Sequence, residues 1–216
     1  MKRTPLLLIG GGGHCKSCID VIETGKTYRV AGIVDRPAMR DKKLLGYPYV
    51  GTDDDLPALL RKTPDTLISI GFSRGGQRRK ALYEMIHAKG GKTVTVVSAL
   101  AHVSRHAELE DGTIVMHQAL VNAGSHIGAN SVINSQALVE HDCTIGRHCH
   151  IATGARINGG CHIGDECLIG SGAILLPGIS IAPGTCIGAG ALVTRNIERA
   201  GTWVGNPARP LEKSER

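Results

Sequence analysis

Residues 120–157, LVNAGSHIGANSVINSQALVEHDCTIGRHCHIATGARI, carry an aliphatic residue at every sixth position. A small residue, Ala, Ser, Thr or Cys, stands two positions before each of them. A period of six fits neither the 3.6-residue turn of an α-helix nor the two-residue alternation of a strand. It is typical of a hexapeptide β-helix, in which short strands wind into a triangular prism with one repeat on each side.

The same period continues without interruption over sixteen residues of the C-terminal half, and Ile179 is the one position where the small residue is replaced. The sixteen are Val103, Leu109, Val115, Val121, Ile127, Ile133, Val139, Ile145, Ile151, Ile157, Ile163, Ile169, Leu175, Ile181, Ile187 and Val193. We predict a parallel β-helix domain over residues 99–216, including a C-terminal tail. The aliphatic residues are expected at the corners of its core, with the small residues also pointing inward.

Residues 1–98 are predicted to form a separate α/β domain, a small Rossmann-like parallel sheet, because strand and helix patterns alternate. The predicted strands are 6–9, 30–34, 66–70 and 93–97. The predicted helices follow the glycine run 10–13 to about residue 23, cover 53–61 with Thr52 as the cap, and cover 74–88.

The composition restricts the classes of partner. A net charge of +6 favours small anionic ligands over nucleic acid, because no Lys/Arg cluster is dense enough to follow a phosphate backbone. The densest basic group, Arg74, Arg78, Arg79 and Lys80, is interpreted as a solvated helix face. No apolar run approaches the ~18 residues of a membrane helix and no signal peptide is recognisable, so a cytoplasmic protein is expected.

The seven cysteines are expected to be reduced thiols. Four of them occupy the small inward position of the repeat and are interpreted as packing residues: Cys143, Cys149, Cys161 and Cys167. Cys15 and Cys18 form a single C-x-x-C pair, which without a second pair is weak evidence for zinc or redox chemistry.

The glycine run Gly10–Gly13 between a strand and a helix is typical of phosphate binding, since the helix N-terminus offers N–H groups and a positive dipole end. The dinucleotide pattern G-x-G-x-x-G fails because position 15 is Cys, and no second nucleotide-binding half follows. A single nucleotide diphosphate and a bare tight turn both remain possible for this loop.

Histidine positions suggest the chemistry of the second half. A polar side chain on a β-helix with a full core must point outward, so a single histidine there is ordinarily a solvated surface residue. His141 differs because Asp142 follows it. An imidazole bonded to a carboxylate is held in one tautomer and made more basic, as a general base requires.

The hexapeptide array with His-Asp, the Gly-Gly-Gly-Gly-His loop and the tail Gly205-Asn206-Pro207-Ala208-Arg209 together resemble the nucleotide-amino-sugar acetyltransferases. This family includes the bacillosamine-pathway and perosamine N-acetyltransferases and the related sialic acid O-acetyltransferases. The resemblance implies a left-handed β-helix, a homotrimer, active sites between adjacent subunits and acetyl-CoA as cosubstrate without a metal. It also implies acetylation of the 4-amino group of a nucleotide-linked 4-amino-4,6-dideoxy sugar, with GDP-perosamine favoured, for O-antigen or surface-glycan synthesis.

The resemblance also implies roles for individual residues, matched by motif. His141 would be the general base and Asp142 its partner, where the family often has Glu. The expected acetyl-CoA contacts are His150, Ser171 and Ala189. The expected sugar-nucleotide contacts are Gly12, Gly13, His14, Asp35, Arg36 and Gly71. Arg36 departs from the Asp of some relatives, which puts the identity of the base in doubt, although a carboxylate such as Asp35 suits the two N–H donors of guanine.

Three other functions remain open from the sequence. One is O-acetylation of a sialic acid within the same family. Another is a zinc-dependent trimer of the γ-carbonic-anhydrase type, for which His117, His141, His148 and His162 are the available ligands. The third is a scaffold without enzymatic activity.

Overall fold

A computed structural model describes residues 3–39, 41–72 and 76–211 of the chain. The chain divides into two compact units, Met1–Ala99 and Leu100–Arg216. Within the described residues, no helix combines the length and the apolar character that crossing a membrane requires.

The first unit is built on one sheet, whose strand order is β3-β4-β2-β1-β5-β6. All neighbours are parallel except the β3–β4 hairpin. The strands are β1 (Thr4–Ile9), β2 (Tyr28–Val34), β3 (Lys43–Leu44), β4 (Tyr47–Gly51), β5 (Asp65–Ile68) and β6 (Lys92–Thr93), and β7 (Val96–Val97) follows. The helices are α1 (Gly13–Thr24), α2 (Leu56–Lys62) and α3 (Gln77–Ala88), with a 3₁₀ turn at Pro37–Met39.

The predicted α/β alternation is confirmed, with three local corrections. Helix α2 begins at Leu56 and not at residue 53, and the carboxylate of Asp55 accepts hydrogen bonds from the Thr52 N–H (2.9 Å) and hydroxyl (3.0 Å). The strand predicted over 93–97 is divided into β6 and β7. The β3–β4 hairpin was not predicted. It turns through Leu45 and Gly46, both with positive φ, as tight hairpin turns require. Of the helix predicted over 74–88, residues 74 and 75 lie outside the described residues.

The second unit is the predicted left-handed β-helix of two-residue strands. Each strand pairs in parallel with the strand three repeats later, as Val121 does with Val139 and Val139 with Ile157. Face one comprises Ile114–Val115, Val132–Ile133, His150–Ile151, Leu168–Ile169 and Cys186–Ile187 and ends with Thr202–Val204 and Arg209–Pro210. Face two comprises His102–Val103, Leu120–Val121, Leu138–Val139, Arg156–Ile157, Ile174–Leu175 and Leu192–Val193. Face three comprises Glu108–Leu109, His126–Ile127, Thr144–Ile145, His162–Ile163 and Ser180–Ile181.

One continuous core fills the prism. The aliphatic residues of the repeat and the small residues two positions earlier are packed together in it, and Cys143, Cys149, Cys161 and Cys167 are completely buried, as predicted. The aliphatic residues lie in the strands, however, and not at the corners as expected. The corners are formed by the two-residue turns that follow.

The second residue of the corner turns has a left-handed backbone at fourteen successive positions of the period, from Gly112 to Gly190, with φ between +56° and +75°. Side chains resist this conformation by roughly 1–2 kcal/mol. Glycine accordingly occupies eight of the positions, and the others are Gln118, Asn130, Gln136, Asp142, His148 and Glu166. Asp142 (φ +58°) therefore lies in a turn position that the fold otherwise gives mainly to glycine.

Candidate active site

His141 and Asp142 form the corner turn between face two and face three. The imidazole Nδ1 lies 2.8 Å from Oδ2 of Asp142. Both side chains are mostly exposed, at 62% and 73% of their surface. The predicted pairing of these two residues is thus present in the structure, on an accessible edge of the prism.

The electrostatics of the corner favour a basic imidazole. The hydrogen bond that the imidazole donates to the Asp142 carboxylate raises the pKa of His141, and the charges of Asp142 and Glu140 act in the same direction. When the Nδ1–H group donates a hydrogen bond to the carboxylate, the neutral ring carries no proton on Nε2, which is then the acceptor that a general base needs. The corner is therefore equipped to remove a proton from a group that approaches Nε2.

Neighbouring coils fix this turn. The Ser125 hydroxyl donates to the carbonyl of Glu140 (2.6 Å) and accepts from the Cys143 N–H (3.1 Å). The Glu140 carboxylate accepts from the side-chain amide of Asn122 (2.9 Å). Ser125 and Glu140 were not singled out from the sequence, because only the fold shows that they belong to consecutive coils.

The predicted coenzyme residues lie elsewhere on the prism. Ser171 and Ala189 occupy the corner between faces one and two, one coil apart, and the Gly190 N–H donates to the carbonyl of Ser171 (2.9 Å). His150 begins a strand of face one, where it is largely buried and its Nε2 lies 3.4 Å from Nδ2 of Asn134. Within a single subunit, His150 and His141 are therefore separated by the full width of face three.

The four histidines considered for zinc do not gather in one chain. His117 lies at the corner between faces one and two, His148 at the corner between faces three and one, and His162 on face three, whereas His141 lies between faces two and three. Among residues 3–39, 41–72 and 76–211, no group of three or more His, Cys, Asp or Glu side chains is arranged to hold a metal ion.

In the first unit, the glycine loop connects the end of β1 to the N-terminus of α1. Gly10 has φ +103°, and a Cβ there would collide with the Ile70 side chain. The carbonyl of Gly10 accepts from the Ser69 hydroxyl (2.6 Å), and that of Gly11 accepts from the Tyr49 hydroxyl (3.0 Å).

The same loop leaves space around Gly12 and Gly13 at the start of α1. Among the described residues, and apart from chain neighbours and the backbone of α1 itself, a Cβ built on Gly12 or Gly13 would meet no heavy atom within 4 Å, and no side-chain hydrogen bond caps α1. The loop thus leaves room for a ligand beside the N-terminus of α1, as anion-binding glycine loops do.

Asp35 ties this loop to the end of β2. Its Oδ2 accepts from the Gly11 N–H (2.6 Å), and its Oδ1 accepts from the Arg36 N–H (2.6 Å). Asp35 and Arg36 line a cavity of about 290 Å³ together with Gly10, Asp53 and Arg78. Asp35 therefore holds the loop in addition to facing the cavity.

Arg79 corrects the interpretation of the basic cluster as a solvated face. Arg78 is exposed, whereas the Arg79 side chain is buried and its Nη1 donates to the carbonyls of Ile68 (2.6 Å) and Ile70 (3.1 Å). Burial lowers the pKa of Arg79 to about 10, so it stays charged at neutral pH. Arg79 thereby holds the chain at the end of β5 and just beyond it, immediately before Gly71.

His14 lies in the first turn of α1, and its Cβ is 3.7 Å from a Cβ built on Gly71. Burial, together with the charge of Arg79, lowers the pKa of His14 to about 4. The imidazole is therefore neutral at physiological pH. The structure brings His14 and Gly71 together, as the predicted sugar-nucleotide site requires. The nearby thiols of Cys15 and Cys18 are buried, which raises their pKa to about 11 and about 12.

Comparisons with known proteins bear on both units. The family model of the PglD N-terminal domain matches residues 5–86, and that of the bacterial transferase hexapeptide (six repeats) matches residues 124–159 and 160–195. A comparison with curated proteins finds no match.

Solved structures match nearly the whole chain. The acetyltransferase domain of PglB from Neisseria gonorrhoeae FA1090 is 31% identical, with a TM-score of 0.90 over 97% of this chain and 100% of that one. A perosamine N-acetyltransferase variant from Caulobacter crescentus, in complex with CoA and GDP-perosamine, is 34% identical, with a TM-score of 0.89 over 96% and 97%. WeeI from Acinetobacter baumannii AYE, at 24% identity and a TM-score of 0.73, shares the fold.

These matches confirm the family that the motifs indicated and the predicted acetyltransferase activity. The chain belongs to the family of nucleotide-amino-sugar acetyltransferases that joins a PglD N-terminal domain to a hexapeptide β-helix.

Proposed function

We propose that the protein transfers the acetyl group of acetyl-CoA to the 4-amino group of a nucleotide-linked 4-amino-4,6-dideoxy sugar, with GDP-perosamine as the favoured substrate. The observation that carries the reaction type is the His141–Asp142 pair at 2.8 Å on an exposed corner. The substrate is supported by the perosamine N-acetyltransferase, which is 34% identical and was solved with CoA and GDP-perosamine.

The mechanism is direct transfer in a ternary complex. The neutral amine attacks the thioester carbonyl, Nε2 of His141 takes a proton from the nitrogen, the C–N bond forms and the C–S bond breaks. The leaving thiolate of CoA takes up a proton, so that the products are the amide and CoA. No acyl-enzyme is required. Cys143, Cys149, Cys161 and Cys167 lie in the core of the prism, and the fifth thiol of the prism, Cys186, is partly buried in a strand of face one.

The first unit is proposed to bind the sugar nucleotide. The diphosphate would lie at the N-terminus of α1, where the missing side chains of Gly12 and Gly13 leave room for it and the N–H groups of the first helical turn would donate to it. The base would enter the cavity that Asp35 and Arg36 line. Each oxygen of Asp35 already accepts one backbone N–H and retains a lone pair for the N–H groups of a base. The neutral imidazole of His14 suits a hydrogen bond to the substrate without adding charge.

The second unit is proposed to bind acetyl-CoA and to assemble as a homotrimer. Ser171, Ala189 and His141 stand at the two corners that border face two, which the outward residues Leu120, Leu138, Ile174 and Leu192 make largely apolar. A partner subunit packed on face two would bury these side chains and bring its own residues next to His141, including its His150.

Sedimentation of the native protein should therefore give a trimer. Ile174→Glu should yield monomers without activity, while Thr144→Glu on face three should not.

The substrate test is a panel of GDP-, UDP- and dTDP-linked 4-amino sugars with acetyl-CoA and a thiol reporter. GDP-perosamine is expected to release CoA fastest, and the product should be an amide that resists hydroxylamine. A hydroxylamine-sensitive ester would indicate O-acetylation instead. Thiol release with none of the 4-amino sugars would reject the proposal.

The mechanistic test is His141→Asn, which keeps a polar side chain but cannot accept the proton. Turnover should fall by ~10²-fold or more, while both substrates still bind when measured by calorimetry. Near-native turnover with the same pH profile would show that His141 is not the base.

In the first unit, Asp35→Ala should weaken sugar-nucleotide binding and leave acetyl-CoA binding intact.

A further inference from the structure

Gly159 lies one coil after His141 at the same corner of the prism. A Cβ built on Gly159 would be 2.6 Å from Nε2 and 2.7 Å from Cε1 of His141. Non-bonded heavy atoms prefer about 3.5 Å or more. The Gly160 N–H donates to the His141 carbonyl (2.9 Å), so the two turns are fixed to each other through their backbones. The imidazole therefore lies directly over the bare Cα of Gly159.

The backbone of Gly159 gives no reason for a glycine. Its φ lies outside the left-handed region, which at this corner is occupied by Gly160. From residue 111 to residue 189, the first position of the corner turns holds a glycine at residue 159 alone. The other thirteen residues at this position are Asp111, His117, Ala123, Ala129, Ser135, His141, Arg147, Thr153, Asp165, Ser171, Pro177, Pro183 and Ala189. A side chain is thus accepted at every equivalent turn of the prism except the one beneath the imidazole.

We infer that Gly159 is a positioning residue whose missing side chain seats the His141 imidazole in the orientation that bonds Asp142. This inference rests on the proposed role of His141 as the base. A methyl group at Gly159 would move the ring and not the backbone, because the ring is exposed and can rotate, whereas the two turns are hydrogen-bonded to each other. Rotation of the ring breaks the 2.8 Å contact with Asp142 and redirects Nε2 away from the attacking amine.

The test is Gly159→Ala, with Asp111→Ala as the control at the same turn position of the corner between faces three and one, where the Asp111 side chain is exposed. For Gly159→Ala, kcat should fall about 10- to 100-fold, as for a misplaced catalytic group. The KM values and the unfolding midpoint should stay close to native. Nuclear magnetic resonance of the His141 imidazole should show its pKa falling towards the value in Asp142→Asn. Asp111→Ala should change none of these quantities.

A double-variant cycle separates positioning from other effects. In a His141→Asn background, Gly159→Ala should cause no further loss, because the group it positions is gone. An equal loss in both backgrounds, or a native kcat and imidazole pKa in Gly159→Ala, would overturn the inference while leaving the role of His141 intact. Full turnover by His141→Asn would reject the proposed base instead. The imidazole pKa in Gly159→Ala would still decide whether Gly159 orients the ring.

Discussion

Replacing Arg79 with Met should destabilise the first unit by up to about 3 kcal/mol. The variant loses two hydrogen bonds from a charged donor, to the carbonyls of Ile68 and Ile70, each worth about 1.5–3 kcal/mol. It also avoids the cost of keeping a charge in the interior. The fall of the Arg79 pKa from 12.5 to about 10 places that cost at about 3 kcal/mol. The difference between the two effects gives the expected loss.

Arg79→Lys should be no less destabilising than Arg79→Met. A lysine retains the buried charge but loses the planar fork, and its ammonium is more strongly hydrated than a guanidinium. The carbonyls of Ile68 and Ile70 would then have to share the ammonium group of a shorter side chain, and burying this ammonium costs more free energy than burying a guanidinium. If the charge itself were what the fold requires, Lys would instead preserve stability.

The chain offers separate probes for this measurement. All four tyrosines, Tyr28, Tyr47, Tyr49 and Tyr83, belong to the first unit, and the single Trp203 belongs to the second. Urea unfolding followed by tyrosine circular dichroism and by tryptophan fluorescence therefore reports on each unit. The tyrosine transition should move to lower urea while the tryptophan transition stays. A native-like Arg79→Lys beside a strongly destabilised Arg79→Met, or an equal movement of both transitions, would refute the reasoning.

Three further predictions concern titration and packing. The free energy of unfolding of the first unit should fall by up to about 3 kcal/mol as the pH falls from 6.5 to 4, because the unfolded chain protonates His14 at a higher pH than the folded chain does. Urea titrations at several pH values measure this dependence, and His14→Asn should remove it. Asp142→Asn should lower turnover less than His141→Asn and move the acidic limb of the pH–kcat profile to lower pH, because Asp142 raises the pKa of His141 and the base must be neutral; an unmoved limb would contradict this role. Alanine at any one of Cys143, Cys149, Cys161 or Cys167 should cost on the order of 1 kcal/mol of unfolding free energy with native turnover, and lost turnover at an unchanged midpoint would indicate a catalytic thiol.

The sequence predicts the β-helix well because its period depends on local chemistry. Each strand carries an aliphatic residue of the period at its second position, and a small residue precedes every strand except where Ile179 stands. This spacing of six repeats with no insertion from Val103 to Val193. The pairing of His141 with Asp142 is also local, since the two residues are adjacent. What the period does not give is the contact between coils. Gly159 and Ser125 act on the His141 turn only because neighbouring coils stack upon one another.

In the first unit, the unpredicted features depend on tertiary contacts. Arg79 lies in a basic run, and its burial is indicated only by its helical spacing with Leu82 and Ile86 on the inner face of α3. Tyr49 belongs to a strand that contains Pro48 and lies near the sheet edge, where sequence patterns are weak. Arg79 and Tyr49 are held in place by hydrogen bonds to backbone carbonyls that are distant in the sequence, and no local sequence pattern shows which carbonyls these are.

The pairing of each strand with the one three repeats away has a consequence for how this enzyme can change. Deletion of one residue would turn the inward side chains of a whole coil outward, whereas removal of three complete hexapeptides would leave every remaining side chain facing as before. The corner that carries His141 and Asp142 can therefore be displaced along the prism only in whole-coil steps, each about 4.8 Å long. The distance along the prism between His141 and the proposed coenzyme residues Ser171 and Ala189 can therefore change only by whole coils, and not by single residues.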